Sequence, residues 1–101
     1  MNQTSAAWLA AAIDGEGSIV FENKRSVRLV VYNTDTRFTR KAARIMGGQH
    51  RFHNSGRKPT WRRCWKASLY RAVLVRRVLR AILPHLTVKA SLARRALRRL
   101  P

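Results

Sequence analysis

Along the chain the spacing of apolar positions changes period several times, and each change marks an element. An apolar stretch that follows Thr4 and Ser5, either of which can cap a helix, predicts a first helix to about Asp14, ended by Gly15 and Gly17. Ser18–Glu22 and Val27–Asn33 are β-rich, and the polar Asn23-Lys24-Arg25 between them reads as a hairpin turn. Helical spacing returns over Thr36–Met46 (Phe38, Ala42, Ile45, Met46) and stops at Gly47-Gly48. Residues 49–54 predict a third strand, Asn54–Pro59 a turn-rich loop, and Trp61–Leu69 a fourth strand. Arg71–Leu83 predicts another helix, broken before Pro84. Ser91–Leu100 predicts a basic amphipathic helix, with Leu92, Ala96, Leu97 and Leu100 on one side and Arg94, Arg95, Arg98 and Arg99 on the other. The order αββαββαα predicts an α+β fold with a four-stranded, mainly antiparallel sheet. No linker, repeat or low-complexity tract interrupts it, so residues 1–101 are expected to form one domain.

Composition narrows this picture. With 46% apolar residues in 101, a packed core is available and wholesale disorder is not expected. No run reaches the roughly 18 apolar residues of a membrane span. The N-terminus has no basic region before its apolar stretch, so secretion is not expected; the cytoplasm, nucleoid or an organelle matrix is. A single cysteine, Cys64, excludes an intrachain disulfide. A zinc site from Cys64, His50, His53 and His85 has no supporting CxxC or HExxH spacing, and on a strand His50 and His53 would point to opposite faces.

Charge changes the picture most. Twenty-two Lys and Arg stand against four acids, a net +18. Biased genome composition explains part of the arginine excess, but not the near absence of acids. Such a field draws in polyanions, and nucleic acid is the natural partner through counterion release.

Within the first helix Ala7, Ala11 and Gly15 recur at every fourth position, a stripe of small residues along one face. Small side chains let two helices approach closely. Trp8, Leu9, Ala12 and Ile13 lie on the other side and are expected to face the core. Asp14 and Glu16 fall at the helix C-terminus, where partial negative charge disfavours carboxylates, so a cation is expected to offset them.

Leu9–Gly17 reads LAAAIDGEG, within WLAAAIDGEGSI, and here the sequence resembles the LAGLIDADG homing endonucleases. Asn33-Thr34-Asp35, the helix ending at Gly47-Gly48, and Pro84-His85-Leu86-Thr87-Val88-Lys89 fall where that family places similar pieces, so the resemblance covers nearly the whole chain. It implies the LAGLIDADG homing-endonuclease fold, with a homodimer formed through the motif helix at Ala7, Ala11, Asp14 and Gly15. It also implies divalent-metal hydrolysis of phosphodiester bonds in a long pseudo-palindromic duplex DNA site, with Mg²⁺, or another divalent ion such as Mn²⁺, as cofactor. Glu16 matches the catalytic acid and metal ligand, with Gly15 beside it; Glu stands where the family more often has Asp, one methylene shorter. Lys89 matches a lysine near the active site, suited to steadying phosphate or the attacking water. Thr34 or Asp35 matches the polar residue that orients solvent, and Asp14 has a supporting structural role.

A sheet with one wet face can lie along the DNA major groove. Trp61, Trp65, Ala67 and Leu69 are expected to face the helices, leaving Arg62, Cys64, Lys66 and Ser68 outward. Arg28, Gln49, Arg51 and His53 are expected outward too. With the turn Asn23, Lys24 and Arg25, and with Arg57 and Lys58 in the later loop, these make the candidate DNA contacts. Arg76, Arg77, Arg80 and the terminal arginines suit general backbone attraction or solubility. Two alternatives on the same scaffold stay open: a DNA-binding regulator that does not cleave, and an intron maturase that binds RNA. A ribosomal-protein-like RNA binder accounts for the charge but not for IDGEGS.

A dimer would carry +36, twice +18, and repel itself at low salt. Sedimentation is expected to show tighter dimerisation on DNA than without it. In binding titrations, log K should fall by about 0.9 per neutralised phosphate for each log unit of salt; a flat profile would remove the electrostatic argument.

Overall fold

The computed structural model describes residues 1–53 and 64–101. The expected loop at 54–59, Trp61 and the first residues of the fourth strand lie outside these. In chain order the elements are α1 (Gln3–Glu16), β1 (Gly17–Phe21), β2 (Val27–Asn33), α2 (Thr36–Met46), β3 (Gln49–His53), β4 (Cys64–Leu69), α3 (Ala72–Ile82), a 3-10 turn (Leu83–His85) and α4 (Ala90–Arg99). This is the αββαββαα order expected from the sequence, with β2 and α2 at the expected bounds.

β1 begins and ends one residue earlier than expected, β3 ends at His53, and the other differences lie at helix ends. Asn2, not Thr4 or Ser5, caps α1, its Oδ1 accepting the Ser5 N–H at 2.7 Å. At the other end α1 runs through Gly15 to Glu16 instead of stopping near Asp14. The helix persists because its last carbonyls are satisfied: the Gly17 N–H donates to the Ile13 carbonyl, and Lys89 Nζ donates to the Asp14 carbonyl at 2.8 Å. α2 is capped by Asp35, and its C-terminus closes in a Schellman motif. Gly47 adopts φ 72°, its N–H donating to the Arg44 carbonyl, while the Gly48 N–H reaches the Ala43 carbonyl at 2.9 Å. Pro84 cannot continue α3, and the chain tightens into the 3-10 turn.

The strands form one antiparallel sheet in the order β1-β2-β4-β3. Its register fixes two faces. Leu29 pairs with Leu69, Val31 with Ala67 and Ile19 with Leu29, putting these side chains against the helices. There Leu9 and Ile13 of α1, Val75, Leu79 and Ile82 of α3, and Ala93 and Ala96 of α4 complete a buried core. Ala6 and Ala10 join it, so most of the circumference of α1 is buried. Trp8 is only half-buried, packed beside Phe38 at 5.1 Å with Lys41 Nζ 4.6 Å from its ring centre. Ala93 replaces Leu92 and Leu97 as a buried position of α4, and both leucines are partly covered. No helix among the described residues is long and apolar enough to cross a membrane.

No loop separates α1 from β1, and the junction is tight. A Cβ on Gly17 would come within 2.8 Å of Ile13 Cα and 2.9 Å of the Val30 carbonyl oxygen, both backbone atoms. Gly17→Ala is therefore expected to destabilise the protein by about 1–3 kcal/mol, the range for overpacking. Urea denaturation should show a lower midpoint at an unchanged slope; an unaltered midpoint would refute the close-approach argument.

Candidate active site and nucleic-acid interface

The open face of the sheet is built by alternation. Across it Gln49 pairs with Ser68, Arg51 with Lys66, His53 with Cys64, and Tyr32 with Lys66 on the other side. Arg28, Gln49, Arg51, His53, Lys66 and Ser68 therefore share one face, as expected from the sequence. A concavity of about 440 Å³ crosses this face, lined by Glu22, Arg28, Gln49, Arg51, Lys66, Ser68 and Tyr70. Glu22 was not anticipated: its Oε1 lies 3.0 Å from Arg28 Nε, an ion pair that directs the guanidinium across the surface. Cys64 and Ser68 face this side but are buried, so they shape the floor rather than offer contacts.

At the hairpin, Asn23 Oδ1 accepts the Arg25 N–H at 2.9 Å and its carbonyl faces Arg99 Nη1 at 3.5 Å, while Lys24 and Arg25 project into solvent. Arg95 and Arg99 both stack over Phe21 at 5.1 Å, so two of the terminal arginines have a packing role. Arg57, Lys58 and Arg62 lie outside the described residues.

The four zinc candidates do not converge. His50 points to the helix side, 2.7 Å from Thr39 Oγ1 and stacked on Trp65 at 5.3 Å. Burial, with Arg40 nearby, lowers its pKa. His85 pairs with Gln3 at 2.8 Å. Among the described residues no group of three His, Cys, Asp or Glu could hold a metal ion.

The end of α1 gathers the chemistry. The exposed strip of this helix holds Ala7, Ala11 and Gly15, as its spacing implied, and ends at exposed Glu16. Glu16 shares a shallow cavity of about 350 Å³ with Tyr32, Asn33, Thr34 and Cys64. Of the two solvent-orienting candidates, Thr34 thus lies in the cavity with Glu16. Asp35 instead caps α2, accepting the Arg37 N–H at 2.9 Å and pairing with the Arg37 guanidinium. The Arg37 side chain, with the Arg37 N–H, holds the Asp35 carboxyl below its ordinary pKa. Tyr32 went unnoticed in the sequence, although alternation along β2 places it on the open face next to Thr34.

Asp14 turns away from its own helix end. Its carboxylate accepts the Thr87 N–H at 2.7 Å and the Lys89 N–H at 2.9 Å, capping α4, whose N-cap residue makes no side-chain cap of its own. The carboxylate that looked misplaced at one helix C-terminus sits at the N-terminus of another, where the dipole favours it. Lys89 is bound to the α1 terminus through Asp14's carbonyl, which leaves two of its N–H donors free of that bond.

With Asp14 committed to these amides, the cavity offers a hard cation the Glu16 carboxylate and the Thr34 hydroxyl from one chain. Oxygen donors of this kind suit Mg²⁺ or Mn²⁺, but one carboxylate is a sparse set.

No protein-family model and no curated protein matches the chain. Among solved structures it resembles the homing endonuclease I-CvuI, in complex with the I-CreI target at 2 mM Mg with the DNA not cleaved. The TM-score is 0.76 at 24% identity, covering 95% of this chain and 65% of that one. The complex of I-CvuI with its own target in 2 mM Ca matches with a TM-score of 0.75, at the same identity and coverage. The chain therefore has the LAGLIDADG homing-endonuclease fold, α+β with a four-stranded antiparallel sheet. It spans 65% of the length of these relatives in structure.

Burial alone would raise the Asp14 pKa, but the N–H groups of Thr87, Lys89 and Val88 and the Lys89 charge outweigh it and hold the group below its ordinary 3.8. A depressed carboxylate stabilises the fold above its unfolded-state pKa, and that contribution is lost as pH falls through the folded value. Asp14→Ala should cost about 1 kcal/mol at neutral pH, typical of a lost cap. It should also flatten the loss of stability below about pH 4 seen in urea titrations of the parent protein. Parallel pH profiles for the two proteins would refute the cap.

Proposed function

We propose that this chain is the DNA-cleaving unit of a homing endonuclease, acting as a homodimer on a long pseudo-palindromic duplex site with a divalent metal. The observation that carries the reading is the fate of the four acids. Asp14 caps α4, Glu22 holds Arg28, and Asp35 caps α2. Glu16 alone has no hydrogen bond or ion pair among the described residues, although 22 Lys and Arg surround it in the sequence. A carboxylate with no partner among the described residues of so basic a protein is suited to a cationic ligand from outside the chain.

Its position suggests what. Ala7, Ala11 and Gly15 leave a bare helix strip that a second copy can approach closely, bringing two Glu16 carboxylates together near the two-fold axis. Like charges resist joint ionisation, so such a pair needs a cation. Glu16 and the Gly15 carbonyl would hold Mg²⁺ or Mn²⁺, which when bound supplies activation of water and stabilisation of the leaving oxygen. Thr34 orients solvent at the cavity wall. Lys89, fixed through Asp14, directs its remaining donors at the phosphate. The sheet supplies Gln49, Arg51, Lys66 and Arg28 for base edges and backbone, with Asn23, Lys24 and Arg25 further along the duplex. The relatives in structure, both DNA complexes of a homing endonuclease, support this assignment.

Incubation with a long randomised duplex library in Mg²⁺, followed by sequencing of new ends, tests the reading. Ends sharing a pseudo-palindromic consensus are expected, and Glu16→Gln should abolish them while the same consensus is still recovered by binding. A bound consensus with no new ends from the parent protein would make the chain a DNA-binding regulator. Selective retention of intron RNA over duplex would make it a maturase.

A further inference from the structure

Both layers of the molecule are basic, but in different ways. On the helical layer, α2 presents Arg37, Arg40 and Arg44 outward at spacings of three and four residues, while Thr39, Ala42, Ala43 and Met46 are buried. α3 presents Arg77 and Arg80 outward, with Val75, Val78, Leu79 and Ile82 buried. The two stripes meet, because Arg44 and Arg77 line one cleft of about 250 Å³ between these helices, floored by Ile45, Leu74 and Val78. Arg37 is paired with Asp35. Arg40, Arg44, Arg77 and Arg80 make no salt bridge among the described residues, and neither α3 nor α4 contains an acid.

The chemistry of this ridge differs from that of the sheet. The open face of the sheet mixes cations with Ser18, Gln49 and His53, side chains that can pair with base edges. The ridge offers guanidinium groups alone, which pair with phosphate in a bidentate fork. Contacts to phosphate position a nucleic acid without reading its sequence. We propose that Arg40, Arg44, Arg77 and Arg80 form a second nucleic-acid site, one that holds the backbone of duplex DNA whatever its sequence. The ridge lies on the layer opposite the sheet, in a molecule only 40 × 31 × 22 Å across. Duplex DNA has a persistence length of about 50 nm, so a segment lying on the sheet cannot fold back to the ridge. The occupant is another duplex segment, and one molecule can bridge the two. This inference rests on the proposal that the sheet binds DNA, and not on cleavage.

Capture of a second duplex tests it. The full chain is bound to a short immobilised duplex, and a labelled duplex of unrelated sequence is added; the assay contains no cleavage step. The parent protein should capture the labelled DNA. Replacing all four ridge arginines by Gln should reduce capture about tenfold or more, and lower the salt slope of second-duplex binding by about 3–4, at about 0.9 per lost phosphate contact. Affinity for the first duplex should fall far less than capture does, by no more than the loss of four charges from the overall field brings, and circular dichroism should show an intact fold. Arg51→Ala/Lys66→Ala should show the converse, a loss of first-duplex affinity. Undiminished capture by the ridge variant would overturn the proposal. So would loss of first-duplex binding in proportion to capture, which would make the ridge part of one continuous site. Loss of binding to a structured RNA with capture unchanged would assign the ridge to RNA and overturn it equally. If the sheet variant keeps its first-duplex affinity while the ridge variant loses all DNA binding, the sheet-face reading fails and the bridging proposal fails with it.

Discussion

The carboxylate of Asp14 is the point on which the geometry of the site turns. It stands on α1, but the amides it binds belong to Thr87 and Lys89 at the start of α4, 73 and 75 residues away. The Lys89 ammonium returns the contact by donating to the Asp14 carbonyl. This clasp joins the negative end of one helix dipole to the positive end of another and gives each an opposite charge. It also sets Glu16, two residues further on, relative to Lys89. Neither catalytic candidate touches the other; both are placed by the residue between them.

Around that clasp the molecule separates its packed face from an open polar one. Period-2 alternation sends Leu29, Val31, Ala67 and Leu69 into the helices and leaves Gln49, Arg51 and Lys66 on the open side. Each fully buried Leu or Val adds about 1.5–3 kcal/mol of transfer free energy, so a one-residue slip of a strand would expose the core and scramble the open face together. The same register that stabilises the protein fixes the order of its polar side chains. A chain with net +18 gains little from further cations, and the scarce acids carry the structural information: each one that is paired marks a helix end or a guanidinium that must be held.

Much of this was legible in the sequence because it depends on local periodicity. β2 and α2 appear at their expected bounds, and the open face of β2, β3 and β4 follows from alternation once one strand is registered. The stripe Ala7, Ala11, Gly15 was visible for the same reason, since a helix repeats nearly every fourth residue. What escaped was non-local. Nothing around Asp14 shows that its partners are the amides of Thr87 and Lys89, so its place at a helix C-terminus looked like a cost. Asn2 is not singled out as the cap of α1 by the sequence, because Thr4 and Ser5 have similar capping chemistry and stand nearer the apolar run. Tyr32 and Glu22 matter through what lies across the sheet from them, a relation that only register reveals. Thr34 and Asp35 are adjacent in sequence, and their roles separate only when the start of α2 claims the second.

The seamless passage from α1 into β1 has a mechanical consequence. A loop would act as a joint; here the Gly17 junction, packed against Ile13 and Val30 backbone, makes helix and strand one rigid lever. In the proposed dimer the crossing angle of the two motif helices then dictates how far apart and how steeply the two sheets sit. On that proposal the spacing between half-sites would be set at the small residues of the helix strip, far from the open face of the sheet. Substitutions at Ala7 or Ala11 would change the length of the site rather than its letters.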